Sequence, residues 1–301
     1  AMGGTPIKVV WTREDDIQHA FYHSVSYQHV TAAIDKNKKV IAWRQRSVSP
    51  SLMSNFMPDP KRESALELGL GLIDTPFNVP NLRLETGEAV AHTRIGWFRS
   101  VNNIPHAFAM QSMVAEVAAE LGKDQKDFLL EMIGPARIVD PRKTVTSELW
   151  NYGDPFETYP IDTGRMRAVV EKAAKEAGWG KQLPKGEGLG IAVQRSFQTY
   201  VCSVVHVKVN SDGSVEVPRV DTAIDCGFHI NPERIHSQIE GAAVMGLSIA
   251  KFTQITFKDG RVQQSNFHDY PVLRIGQGAM DVRTHIMPHP PEVPAAGVGE
   301  R

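Results

Sequence analysis

Three stretches of this chain combine residue types that could do chemistry at a fixed point. The last one runs Pro290-Pro291-Glu292-Val293-Pro294-Ala295-Ala296-Gly297-Val298-Gly299-Glu300. Proline fixes φ and glycine lets a backbone pass close to a ligand, so this approach can present one carboxylate, Glu300, at a defined place. A carboxylate held that way can act as a general base. A purely structural purpose rarely calls for such a sequence near a chain end, where disorder is usual. The second stretch is Gly96-Trp97-Phe98-Arg99-Ser100-Val101, followed by Asn102 to Pro105 and a predicted helix. An aromatic–Arg pair, Phe98 and Arg99, ahead of a helix N-terminus can take an anion or a substrate. The plainer reading is an Arg99 satisfied by backbone carbonyls. The third is Gln238-Ile239-Glu240-Gly241-Ala242-Ala243-Val244-Met245-Gly246, inside a predicted helix. Each interior Gly costs about 1 kcal/mol relative to Ala, so Gly241 and its small neighbours fit a face on which something packs closely. That is either another helix or strand, or a cofactor lying across the face. In the second case Gln238 is its hydrogen-bond anchor, because an amide donates and accepts at once.

Other reactive residues offer less. Two cysteines, Cys202 and Cys226, are too few for a disulfide framework or a Cys-rich metal site, and their strand-like surroundings predict buried, inert thiols. The histidines show no His-Glu-x-x-His pattern. His285 and His289 are four apart, but Pro288 and Pro290 forbid a helical pair. We expect no protein side chain to ligate a metal directly.

Elements must carry these stretches to one place. The 301 residues suffice for one large or two ordinary domains, and 42% hydrophobic with 22% charged residues predicts a globular chain. A net charge of −1 gives no electrostatic drive towards nucleic acid or a membrane surface. No apolar run is long enough to span a bilayer. The opening lacks the apolar core of a signal peptide. It enters an apolar strand, predicted at 7–11, so abruptly that a fragment of a longer protein is expected.

Further strands are predicted at about 23–34 and 39–48. A long surface loop with short helical pieces follows over 49–81, and 82–92 turns strand-like towards its end. Helices follow at about 106–121, ended by Gly122, and 124–133, capped by Asp124. The second half opens with a helix at 162–177, with Asp162 as cap, a Glu171–Lys175 pair and Gly178 as stop. Strands come at 189–195, 200–209 and 215–224, the last two joined by an Asp212-Gly213 turn. A long helix at 232–251 starts on Asn231-Pro232. An Asp259-Gly260 hairpin and a strand at 280–287 complete the set. Strands and helices mix without a βαβ rhythm, which predicts an α+β fold of mixed sheets with packed helices. We expect two subdomains: 1–150, carrying Phe98 and Arg99, and 151–301, carrying the Gln238 helix and the Glu300 loop.

Val298-Gly299-Glu300 resembles the active-site loop of the molybdenum hydroxylases, the xanthine dehydrogenase and aldehyde oxidoreductase superfamily. Asp225-Cys226-Gly227, Asn231-Pro232, Ser237-Gln238-Ile239-Glu240-Gly241 and Met245-Gly246-Leu247 resemble the cofactor segment of the same superfamily. Gly96 to Val101, Val9 to Ile17, Gly188 to Ala192 and Phe197 to Val201 are similar to its isoquinoline 1-oxidoreductase beta-subunit branch. The matches span nearly the whole chain in order. This resemblance implies a fold of the molybdopterin-binding type and oxidative hydroxylation of an aldehyde or N-heterocycle with water-derived oxygen. It implies Glu300 as general base, and Gln238, Gly241, Arg99 and Phe98 around the cofactor. It further implies molybdenum held by molybdopterin cytosine dinucleotide, and [2Fe-2S] clusters on a separate small subunit. Arg301 departs from the proline usual after that glutamate. The Gly-Gly-Phe-Gly segment found upstream in relatives is absent, so the rest of its own subunit is an expected partner, and this piece alone is expected to be inactive. The alternative is a non-catalytic scaffold that keeps the fold without the metal.

Overall fold

A computed structural model describes residues 3–277 and 280–300. Ala1, Met2 and Arg301, the residue in the proline position, lie outside the described residues. Helix α1 (Arg13–His19) opens the fold, with Thr12 and Asp15 closing a capping box. Strands β1 (Tyr27–Ile34) and β2 (Val40–Val48) pair antiparallel, and the short helix α2 (Ala65–Leu68) leads to β3 (Asn81–Thr86), which lies parallel to β2. Then come α3 (Asn103–Leu121), ended by a left-handed Gly122, and α4 (Gln125–Ile133), capped by Asp124. Two short strands, β4 (Ile138–Val139) and β5 (Ile161–Asp162), pair antiparallel. Helix α5 (Thr163–Ala177) starts where the Asp162 side chain accepts from the amides of Gly164 and Arg165. Strands β6 (Glu187–Ser196), β7 (Thr199–Val209) and β8 (Val215–Asp225) form an antiparallel meander. Helix α6 (Pro232–Lys251) follows its Asn231 cap, then the hairpin β9 (Phe257–Lys258) and β10 (Arg261–Val262). Finally β11 (Asp281–Ile286) joins β8 in parallel, so this sheet has the order β11-β8-β7-β6.

The period-two alternation of β7 decides which helix meets which face. Tyr200, Cys202 and Val204 point into the main core with Met166, Val169, Val170 and Ala173 of α5. Val201, with Ile224, Val282 and Ile286, points the other way and meets Ile235 and Ile239 of α6. The main core is continuous from Trp43 through Val114, Leu129 and Ile133 to Val169 and Tyr200. Leu129 is fully buried there, so Leu129→Ala is expected to lower stability by about 2–5 kcal/mol. A reduced urea midpoint with an unchanged slope would show it.

Several expectations need correction. Residues 7–11 form no strand: Ile7, Val9, Val10 and Trp11 are all exposed, and no neighbouring strand of the described residues supplies a ladder. The segment 49–81 is no surface loop, since Leu52, Leu70, Leu72, Ile73 and Phe77 are buried in it. β3 occupies the start of 82–92 and not its end. On α5, Glu171 meets Arg167 at 3.7 Å, and Lys172 meets Glu176 at 2.9 Å. The α+β expectation holds, as do both buried cysteines.

Candidate functional site

The segment after β11 runs back under the end of β8. Ala296 N donates to the Cys226 carbonyl at 2.8 Å and Phe228 N to the Val293 carbonyl at 3.1 Å. Such an approach needs Gly227: its φ is +69°, and a Cβ there would lie 2.0 Å from the Pro294 carbonyl oxygen. Four side-chain hydroxyls then hold the loop by its carbonyls. Tyr159 donates to Ala295 O at 2.8 Å and Thr199 to Gly297 O at 2.7 Å. Ser100 and Ser196 donate to Glu300 O at 2.8 and 3.3 Å. Val298 packs against the Ile224–Ile239 cluster. The Glu300 carboxylate accepts from the backbone amide of Ser100 on Oε2 at 2.7 Å.

Ser100 can offer that amide because the chain turns sharply there. Ser100 and Val101 have φ of 71° and 49°, left-handed conformations that non-glycine residues adopt at a cost of order 1–3 kcal/mol each. Buried Ile95 and Val101 anchor the turn in a satellite core with Leu52, Leu70 and Tyr152. The turn also aims Arg99 at α6, where Nη2 donates to the Gln238 carbonyl at 3.0 Å. A Cβ on Gly241 would sit 3.9 Å from Arg99 Nη1. Burial holds the Arg99 guanidinium below its ordinary pKa, while the Glu300 carboxylate pulls it back up. Phe98 packs edge-on against His23, with ring centroids 5.5 Å apart. It also walls a groove of ≈530 Å³ that Gly241, Val244, Met245, Ile249 and Tyr270 complete.

All five residues singled out from the sequence therefore lie in one neighbourhood, joined through the Phe98–Ser100 turn. Phe98, Arg99 and Glu300 meet it by side chain. Gln238 meets it by its main-chain carbonyl, and its side chain is exposed. The plain reading of Arg99 is met in part: one carbonyl satisfies Nη2, but Nε is buried without a hydrogen-bond partner among the described residues. Sequence reasoning missed Ser100, Tyr159, Ser196 and Thr199, which fasten the loop. Their partners lie 98 to 200 residues away, and no spacing marks them.

These residues suit a bulky group held by its organic part. The buried Arg99 Nε calls for an acceptor. In the small-residue stretch of α6, a Cβ at Gly241 would meet only Arg99 Nη1, at 3.9 Å, so no helix or strand of the described residues packs on that point. Among the described residues, no group of three or more His, Cys, Asp or Glu could hold a metal ion directly.

Comparison with known proteins agrees with that geometry. Residues 1–131 and 164–277 each match a family model described as a molybdopterin cofactor-binding domain. The chain is 26% identical over 284 residues to the isoquinoline 1-oxidoreductase subunit beta of Brevundimonas diminuta, covering 91% of this chain and 32% of that one. It is 29% identical over 294 residues to the membrane-bound aldehyde dehydrogenase [pyrroloquinoline-quinone] of Gluconacetobacter polyoxogenes, covering 91% and 36%. The chain thus spans about a third of the length of these curated relatives. The aldehyde oxidoreductase from Desulfovibrio gigas shares the fold, with a TM-score of 0.68 at 14% identity over 96% of this chain and 46% of that one. This α+β chain, with its Glu300 loop pinned against the Phe98–Ser100 turn, belongs to the molybdenum hydroxylase family as a molybdopterin cofactor-binding region.

Proposed function

We propose that this chain forms one wall of the molybdopterin site of a larger oxidoreductase that hydroxylates aldehydes or N-heterocycles with oxygen from water. The bound group supplies the redox centre and the oxygen to be transferred. Arg99 offers its buried Nε to that group, and the open Gly241 face of α6 admits it closely. The Gln238 amide, exposed beside them, serves as its hydrogen-bond anchor. Phe98 bounds the substrate's side of the site. Glu300 takes up a proton on its carboxylate, which the Ser100 amide holds in a set orientation. In this reading 1–150 and 151–301 act as two subdomains, the cofactor is the cytosine dinucleotide form, and [2Fe-2S] clusters sit on a partner subunit. The observation that carries it is the pair of hydrogen bonds from Arg99 and Ser100 to Gln238 and Glu300, which joins three distant segments.

Metal analysis and organic extraction of the full-length protein, purified with its partner, test this reading. Molybdenum together with a pterin is the expected result. A quinone in their place would overturn it, and a metal-free protein would favour the scaffold alternative. Gly241→Ala sharpens the test. Alanine gains about 1 kcal/mol of helix propensity and its Cβ meets only an ordinary contact, so the chain itself should become more stable. Cofactor content should nevertheless fall, because the added methyl occupies the close-approach face. Full cofactor content in that variant would remove Gly241 from the site.

A further inference from the structure

Behind the hydroxyls that hold residues 295–300 lies a buried polar cluster that the proposed chemistry does not use. Asp74 and Arg195, each with a side chain 2% exposed, stand 3.8 Å apart. Arg195 Nη2 donates to Asn151 Oδ1 at 2.8 Å and to the Tyr159 carbonyl at 3.1 Å, while Nε and Nη1 have no hydrogen-bond partner among the described residues. Gly71 N donates to Asp74 Oδ1 at 2.8 Å. The Tyr152 hydroxyl lies 3.5 Å from both Asp74 Oδ2 and Asn103 Oδ1, and 3.3 Å from the Arg195 carbonyl.

Two routes lead from this ion pair to the loop. On one, Asn103 Nδ2 donates to Ser196 Oγ at 3.2 Å, and Ser196 Oγ donates to Glu300 O. On the other, Tyr159, whose carbonyl Arg195 holds, donates its hydroxyl to Ala295 O. The connecting backbone is strained: Asn151, Tyr152, Phe197 and Gln198 all have positive φ. A buried ion pair with donors left unpaired opposes folding compared with apolar residues of similar shape. Unmet donors and strain gathered behind one loop mark a cluster that serves the loop's position.

We propose that Asp74 is a positioning residue for Glu300, acting through Arg195, Tyr152 and the hydroxyls that grip residues 295–300. The consequence for catalysis rests on the reading of Glu300 as base; the hold on the loop does not.

The charge of the cluster can change near neutrality. Burial pushes the Asp74 carboxyl up to about 6, although Arg195, the Gly71 amide and His106 pull it down. The groups facing it are Arg195 from β6, Tyr152 from the turn at 151–153 and His106 from α3, with Glu63 3.3 Å behind His106. A carboxyl whose folded value is raised stabilises the fold fully below 3.8, and that share is lost as pH rises through about 6. Ionised Asp74 therefore works against global stability at neutral pH, yet only that form pairs with Arg195. Taking up a proton should loosen the loop without weakening the core.

Hydrogen exchange of the full-length protein, corrected for intrinsic rates, tests this. Protection of the amides at Ser100 and 296–300 should fall about tenfold from pH 8 to pH 5, while α5 keeps its protection. Asp74→Asn should show the low loop protection at every pH, with a melting temperature at pH 8 no lower than wild type. Tyr152→Phe should weaken loop protection but keep its pH dependence. A flat wild-type profile overturns the proposal, as does an Asp74→Asn loop protected like wild type. Protection lost throughout Asp74→Asn, with a lowered melting temperature, also overturns it. If that variant does not fold, the wild-type profile and Tyr152→Phe decide. In the loaded enzyme, the acid limb of kcat near pH 6 should vanish in Asp74→Asn with KM kept. Should Glu300→Gln retain turnover while the loop still responds to pH, the reading of Glu300 fails and the positioning by Asp74 stands.

Discussion

Glu300→Gln should cut turnover of the full enzyme by about 10²–10⁴-fold, the usual worth of a positioned general base. Glutamine keeps the shape of the side chain, and its carbonyl oxygen can still accept from the Ser100 amide. The loop carbonyls keep their hydroxyl donors from Ser100, Ser196 and Thr199. Stability should therefore stay within about 0.5 kcal/mol of wild type. Molybdenum and pterin content should also be unchanged, which separates loss of a base from failed assembly. The deficit should fall on kcat and on kcat/KM alike, because a base acts in the transition state and not in binding. A variant within a few-fold of wild type, fully loaded, would strip Glu300 of that function.

Gly227→Ala should act on the same carboxylate from a distance. Two penalties combine there. An L-residue in the left-handed region costs about 1–2 kcal/mol, and the new Cβ would meet the Pro294 carbonyl oxygen at 2.0 Å, far inside contact distance. The 293–296 segment must move away, losing the bonds from Ala296 N to Cys226 O and from Phe228 N to Val293 O. At about 1 kcal/mol for each hydrogen bond, the whole change should lower stability by about 3–4 kcal/mol. Turnover should drop with it, since Val298 and Glu300 travel with the displaced segment. A urea titration and a kcat measurement on one preparation would check both. Wild-type values in the two would mean that the close crossing at Gly227 does not govern the loop.

Local signals made much of this fold legible in the sequence. Helix α6 spans the expected 232–251 because Asn231 and Pro232 state its start in neighbouring residues. Gly122 and Gly178 end α3 and α5 in left-handed caps for the same reason. Burial was harder to read. Residues 7–11 carry the apolar pattern of a strand but find no ladder among the described residues, whereas 68–77 look irregular and yet contribute five buried apolar side chains at Leu68, Leu70, Leu72, Ile73 and Phe77. A strand needs a partner and a core residue needs a lid, and neither is a property of the segment itself.

The site divides along the same line. Residue type and the resemblance together marked Glu300, Arg99, Phe98, Gln238 and Gly241: carboxylate, guanidinium, aromatic ring, amide and missing Cβ each have a usable chemistry, and the motifs around them gave it a role. Only the tertiary structure decided that Arg99 takes the carbonyl of Gln238, and that hydroxyls from Tyr159, Ser196 and Thr199 fasten the loop. It alone placed the Asp74–Arg195 pair behind them. Serine, threonine and tyrosine occur throughout the chain, and a hydrogen bond extends only about 3 Å. Which of them comes within that reach of a carbonyl a hundred residues away is set by the packing of β6, β7 and α6 around the core.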